Sequence, residues 1–197
     1  MSPEANIAGY DYGKPDIAKS PVSLEELERL KQTVTLADKD IRLLHAAGKI
    51  LESQTNEIAG KWRGIIAEQP HLARYFFGAN GKPDEEYQTR ASYRLQQWII
   101  DVCHRPLDQD WLNYQHEIGL RHTHVKKNQA DSAATPPHLP LRYLLAFTAV
   151  VNDTIKPFLA NRGATPETVE AMHRAWCKSV LLHVTLWTRA YVAESDW

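Results

Sequence analysis

Apolar residues recur at helical spacing along almost the whole of this chain. Between Asp38 and Gln69 they fall at Ile41, Leu44, Ile50, Leu51, Ile58, Trp62, Ile65 and Ile66. That stretch is too long for one straight helix without caps, so a division is expected near Glu52 to Thr55. Upstream, Ser23-Leu24-Glu25-Glu26 has the form of a capping box. A hydroxyl and a carboxylate there would satisfy orphan amides and open a short helix ending near Thr33, with the next helix starting at Thr35 or Asp38. Residues 1–22 hold Pro3, Gly9, Gly13, Pro15 and Pro21 and read as an extended arm. After Pro70, the run His71 to Phe77 fits a short helical turn closed by the loop from Gly78 to Pro83.

Asp84 begins a helix through about His104, with Tyr87, Ala91, Leu95, Trp98, Ile99 and Val102 on one face, and Pro106 ends it. Asp108 or Gln109 begins another through about His124, burying Trp111, Tyr114, Ile118 and His122. Lys126 to Pro140 is the longest loop. Leu141 to Ala160 reads as an apolar helix with Pro157 in its last turns, where a kink is expected. Thr165-Pro166 restarts a final helix through about Tyr191, with Thr at the N-cap and Pro at the first helical position. No segment alternates with period two for long enough to be a strand. The chain reads as all-α, with seven or eight helices of unequal length, which suits angled globin-like packing better than parallel rods.

Composition narrows the function classes. The 197 residues are 43% hydrophobic and 24% charged, which allows one sizeable core. The formal net charge of -1 gives no reason to expect nucleic acid or an anionic membrane as partner. No run is long enough to span a membrane, and the polar N-terminus lacks the pattern of a signal peptide, so a cytoplasmic location is expected. Cys103 and Cys177 have no zinc or CxxC spacing and read as two small buried hydrophobes.

Several enzyme templates are missing: GxSxG, HExxH, GxxxxGK[ST] and GxGxxG. His122 and His124, two apart on a helix, would point about 200 degrees from each other and could not share a metal unless the helix ends between them. Glu170 and His173 form an uninterrupted Glu-x-x-His pair, but a carboxylate-bridged di-metal site needs two. His104 and His138 read as surface or cap residues. His122 differs, because it continues the apolar face of its helix. On spacing alone a satisfied core histidine is the commoner outcome. Gly119 would leave the face open one turn back, as a flat bulky group requires, and Leu95, Trp98, Leu144 and Phe147 supply a wide apolar wall. A neutral imidazole with one nitrogen free, opposite an apolar pocket, describes an axial ligand of haem.

The stretch from Trp111 to His122, closing on Gly119-Leu120-Arg121-His122 and followed by Lys126-Lys127-Asn128-Gln129, resembles the proximal helix of protoglobins, single-domain relatives of the haem domains of globin-coupled sensors. The arm Ala8 to Gly13, the segment Trp98 to Asp101, Leu141 to Leu144, Lys156 to Ala160 and the closing helix from Ala175 to Trp187 extend the resemblance over nearly the whole chain. It implies a globin-like fold with an extra N-terminal helix and arm, organised as an arm over 1–22 and one haem domain over 23–197.

The same resemblance implies that His122 is the proximal ligand of a non-covalent haem b, since no CxxCH is present. Trp62, Arg63, Phe76, Ala91 and Leu95 fall at the distal wall, Leu144 and Phe147 touch the haem, and Arg94 lies near a propionate. Arg63 departs from the family pattern, which has Tyr there. A guanidinium buried over iron without a partner is costly, so it is expected to turn to solvent, a propionate or a carboxylate, leaving Trp62 or water to stabilise bound ligand. The implied function is reversible binding of O2, CO or NO. Alternatives are a haem enzyme consuming nitric oxide, reactive nitrogen or peroxide, a carbene-transfer catalyst, or a gas sensor acting through a partner, since no output domain follows Trp197. A homodimer through the last two helices is also implied.

Overall fold

In the computed structural model, which describes residues 7–197 apart from the side chain of Arg162, eight α-helices carry the fold. They are α1 (Leu24–Thr33), α2 (Asp38–Leu51), α3 (Thr55–Ala67), α4 (Pro70–Ala73), α5 (Glu85–His104), α6 (Gln109–Leu120), α7 (Leu141–Leu159) and α8 (Pro166–Thr188). The division expected near Glu52 is a 3-10 turn, Glu52–Gln54, between α2 and α3. Ser23, Asp84, Asp108 and Thr165 each cap a helix, their side chains accepting from the backbone N–H three residues on. The capping box at Ser23 is only half formed, because the Glu26 carboxylate turns to Arg29.

Helix α8 is the central element. It packs against α7, α2, α6 and α5, while α3 closes on α5 and α7. Its buried face carries Met172, Ala175, Trp176, Leu182 and Leu186, and the core continues through Trp111 and Leu112 of α6 and Ile155 and Leu159 of α7. Asp40 ties the start of α2 to α8. Its carboxylate accepts from the Ala37 backbone N–H at 2.9 Å and from Lys178 Nζ at 3.1 Å, and Lys178 also donates to the Thr35 carbonyl at 2.7 Å.

Residues 7–22 of the arm lie in turns and bends across α5 and α6; the rest of the arm, with Pro3, falls outside the described residues. Tyr10 packs edge-on to Tyr114 and donates to Asp101 Oδ2 at 2.8 Å. Arg105 donates to the Tyr10 hydroxyl at 2.9 Å and stands over the Tyr12 ring. Asp11 pairs with Arg121, and the Ser20 N–H reaches Asn113 Oδ1 at 2.9 Å. Burial pushes the Asp101 carboxyl upward against the opposing effect of Gln97, Tyr10 and Arg105.

Three expectations are corrected. Helix α6 ends at Leu120, two residues before His122, so the 200-degree argument against a shared His122–His124 site does not apply to this backbone. Gly119 does not open the cofactor face. A Cβ there would come 3.0 Å from the Trp187 carbonyl oxygen and 3.2 Å from its Cα, so the glycine serves the close approach of the end of α8. Cys103 is buried as expected, but Cys177 is only half-buried, with its Sγ 3.6 Å from His173 Nε2. Neither member of the Glu170/His173 pair is idle: Glu170 pairs with Lys156, and His173 contacts the Asn152 carbonyl.

Two measurements test these contacts. The opposing effect of burial notwithstanding, hydrogen bonds from Ala37 and Lys178 hold the Asp40 carboxyl below its usual value. A carboxylate depressed in the folded state stabilises above its unfolded pKa, and the contribution disappears as pH falls through the folded pKa. Asp40→Asn should therefore cost about 1.5 kcal/mol in urea unfolding at pH 7, and the difference should shrink as pH falls through the depressed folded-state pKa. Gly119→Ala should lower stability by about 1–3 kcal/mol, because Trp187 backbone must yield; an unchanged melting temperature would remove the close-approach explanation.

Candidate functional site

A cavity of about 330 Å3 opens between α3, α5, α7, the end of α6 and α8. Trp62, Arg63, Phe76, Ala91, Arg94, Leu95, His122, Leu144 and Phe147 all line it. They come from five separate stretches of chain, so the fold gathers on one surface what the sequence scatters over 86 positions. The size is within the usual range of roughly 300–1,000 Å3 for small-molecule pockets.

His122 sits in the turn after α6. Its backbone N–H bonds back to Gly119 O at 3.1 Å rather than to Ile118 O, so the Ile118 carbonyl is left for the ring: Nδ1 lies 2.8 Å from it. A carbonyl can only accept, so Nδ1 carries the proton. Burial pushes the imidazole pKa down, favouring the neutral ring, and a neutral ring protonated on Nδ1 holds its lone pair on Nε2. Among the described residues Nε2 makes no hydrogen bond.

The ring is braced on several sides. Trp187 stacks on it at 5.6 Å between centroids. The His122 carbonyl accepts from the Leu139 N–H at 2.9 Å, and the Tyr191 hydroxyl donates to Leu139 O at 2.9 Å. Buried Glu117 accepts from Arg121 Nε at 2.9 Å and Lys126 Nζ at 2.5 Å, clamping both sides of the turn. His138, expected at the surface, instead packs on Tyr191 with its Nδ1 buried and unpartnered.

The other wall changes two expected roles. The Trp62 indole N–H donates to Thr154 Oγ1 at 2.6 Å, and Thr154 in turn donates to Val150 O, so Trp62 contributes shape and has no free donor for a ligand. Arg94 is committed to Asp131, with Nη1 3.0 Å from Oδ1, and also donates to Ala8 O at 2.8 Å. Arg63 does not find a carboxylate; its Nη2 donates to the neutral Gln88 Oε1 at 2.8 Å.

Lys127 is a cavity residue to which sequence reasoning assigned no role. It is 8% exposed, lines the cavity and stands over the Tyr87 ring, yet its Nζ meets only neutral acceptors: Thr135 Oγ1 at 2.8 Å, Asn128 Oδ1 at 3.0 Å and Tyr75 O at 3.4 Å. Burial pulls its pKa down to about 8. A Lys-Lys pair in a polar loop gives no sign that Lys126 meets a carboxylate, Glu117, while Lys127 meets only neutral acceptors. Tyr87, which spacing put on the face of Ala91 and Leu95, also lines the cavity, as do Tyr75 and Tyr143, to which spacing gave no place there.

Comparison with known proteins agrees with this architecture. The globin domain of the Geobacter sulfurreducens globin-coupled sensor superposes with a TM-score of 0.66 at 14% identity, covering 84% of this chain and 97% of that one. The globin domain of E. coli DosC, in its ferric form, gives a TM-score of 0.62 at 14% identity, over 83% of this chain and 98% of that one. At that identity the likeness establishes a globin fold. A search among curated proteins returns no match. The protoglobin family model matches residues 23–197, and on that match the chain belongs to the protoglobin family and is a haem-binding globin.

Proposed function

We propose that the cavity holds haem b non-covalently with His122 Nε2 as the iron ligand, and that the opposite face takes O2, CO or NO reversibly, in a cytoplasmic homodimer. The observation that carries the reading is the hydrogen bond from His122 Nδ1 to Ile118 O. It fixes the tautomer that leaves Nε2 unprotonated beside an apolar cavity. Held by His122 and the apolar walls, haem would supply an iron centre able to take a diatomic gas.

The residues present suit that group. Trp62, Phe76, Leu95, Leu144 and Phe147 give apolar walls that exclude water from a flat hydrophobic cofactor. Lys127, enclosed and hydrogen-bonded only to neutral acceptors, offers its ammonium to an acidic substituent beside Arg94, which Asp131 already pairs. Among the described residues no helix is long and apolar enough to cross a membrane. Support for a pair comes from Leu145 and Leu181, 46% and 50% exposed on α7 and α8.

The purified protein should show the Soret band of a His-ligated haem. His122→Ala should weaken haem retention at least about tenfold while helical circular dichroism is unchanged. His122→Gly should recover the band when free imidazole is added. Retention of wild-type haem affinity by His122→Ala would assign the iron ligand elsewhere. Light scattering should give the mass of two chains, and Leu181→Glu the mass of one; a one-chain mass for the parent removes the dimer.

A further inference from the structure

We propose that Arg63 and Gln88, on the α3–α5 wall, are a recognition pair that makes the cavity favour small monovalent anions of the azide, fluoride or nitrite class over neutral gases. This rests on the haem reading above and assigns the selection between charged and neutral ligands to two side chains of this chain.

The argument begins with the charges that line the cavity. Arg63, Arg94, Arg121, Lys126 and Lys127 face two carboxylates, Asp101 and Asp131. Most of these charges are spoken for: Arg94 by Asp131, Asp101 by Arg105, and Arg121 and Lys126 by Glu117. Two cations have only neutral hydrogen-bond partners among the described residues, Lys127 and Arg63, and of these Lys127 also feels the Asp131 carboxylate through space. They come from different stretches of chain, Lys127 from the loop after the His122 turn and Arg63 from α3. They can therefore serve two different anionic groups.

Arg63 is suited to a transient ligand. One bond, from Nη2 to the Gln88 side chain, holds it at the cavity, and a guanidinium has further N–H donors in a fixed fork. An anion displacing Gln88 Oε1 would exchange a neutral acceptor for a charged one, and charge-assisted hydrogen bonds are about twice as strong as neutral ones. The Gln88 amide can then turn to offer its own NH2 to the same anion. Of the side chains beside it, Trp62 has its N–H held by Thr154 and Phe76, Leu95 and Phe147 carry no donor, while the hydroxyls of Tyr87 and Ser92, which also line the cavity, are neutral. Selection thus falls to a cation in an apolar setting, where its attraction for an anion is least screened. A neutral gas gains far less from the same contact.

The test uses the haem-loaded full chain. Azide and fluoride are titrated into the ferric protein and CO into the ferrous protein, each followed by the Soret shift. Arg63→Leu, and Arg63→Gln in case the first variant misfolds, should weaken azide and fluoride binding by about tenfold or more. Haem retention should be unchanged and CO affinity should move by less than about threefold. The proposal is overturned if a folded, haem-loaded variant keeps the parent's anion affinities. It is also overturned if anion and CO affinities fall together, or if haem retention falls while anion affinity stays, which would assign the guanidinium to a cofactor carboxylate. A parent that takes up no haem ends the haem reading and this one with it, and is seen before any variant is compared.

Discussion

The structure turns on where α6 stops. In a helix continued through His122, the Ile118 carbonyl would accept the His122 backbone N–H. Because the helix tightens at Leu120 and that N–H goes to Gly119, the carbonyl becomes one of the orphan acceptors that every helix C-terminus leaves, and the imidazole of His122 takes it. One backbone termination therefore sets the position of the ring, its tautomer and the nitrogen presented to the cavity. A buried histidine in mid-helix would have none of these fixed.

The surrounding packing keeps that termination in place. Glu117 holds Arg121 and Lys126, Leu139 and Tyr191 hold the backbone of the turn, and Trp187 covers the ring because Gly119 lets α8 come close. The arm contributes from outside. Asp11 and the Gly9 carbonyl both engage Arg121, and the Ala8 carbonyl engages Arg94, so a segment with no helix of its own restrains two cationic side chains of the cavity. Gly9 is required there: its φ of +73° is a left-handed conformation, and a Cβ would meet the Arg94 guanidinium at 2.8 Å.

Much of this was legible in the sequence because periodicity and capping are local. Ser23, Asp84, Asp108 and Thr165 mark helix starts within a residue, and the apolar faces place Leu95, Leu144 and Phe147 on the cavity side. The end of α6 was not legible, since Arg121-His122-Thr123-His124 contains neither Gly nor Pro and its termination depends on tertiary partners of the turn. The roles of Arg94, Trp62 and Lys127 were hidden for a related reason. Each is decided by a partner far along the chain: Asp131 for Arg94, Thr154 for Trp62, and Tyr75 together with Thr135 for Lys127. Residue type announces a charge or a donor; only the fold shows whether something has already taken it.

That distinction orders the chemistry of the cavity. Ion pairs such as Arg94–Asp131 and Arg121–Glu117 are satisfied before any ligand arrives and serve as scaffold, since a buried pair that has already met its opposite charge has little left to offer a newcomer. Lys127 and Arg63 are held by neutral acceptors, an arrangement that lowers the cost of burial without cancelling the charge. With His122 neutral and its Nε2 free of hydrogen bonds among the described residues, the cavity combines one lone pair, two cations hydrogen-bonded only to neutral groups and apolar walls. Such a set attracts a planar apolar group bearing carboxylates, and it keeps one positive charge on the α3–α5 wall after a carboxylate has met Lys127. Arg63 thus sets the polarity of the α3–α5 wall, and Gln88 is the neutral partner that lets its charge remain there.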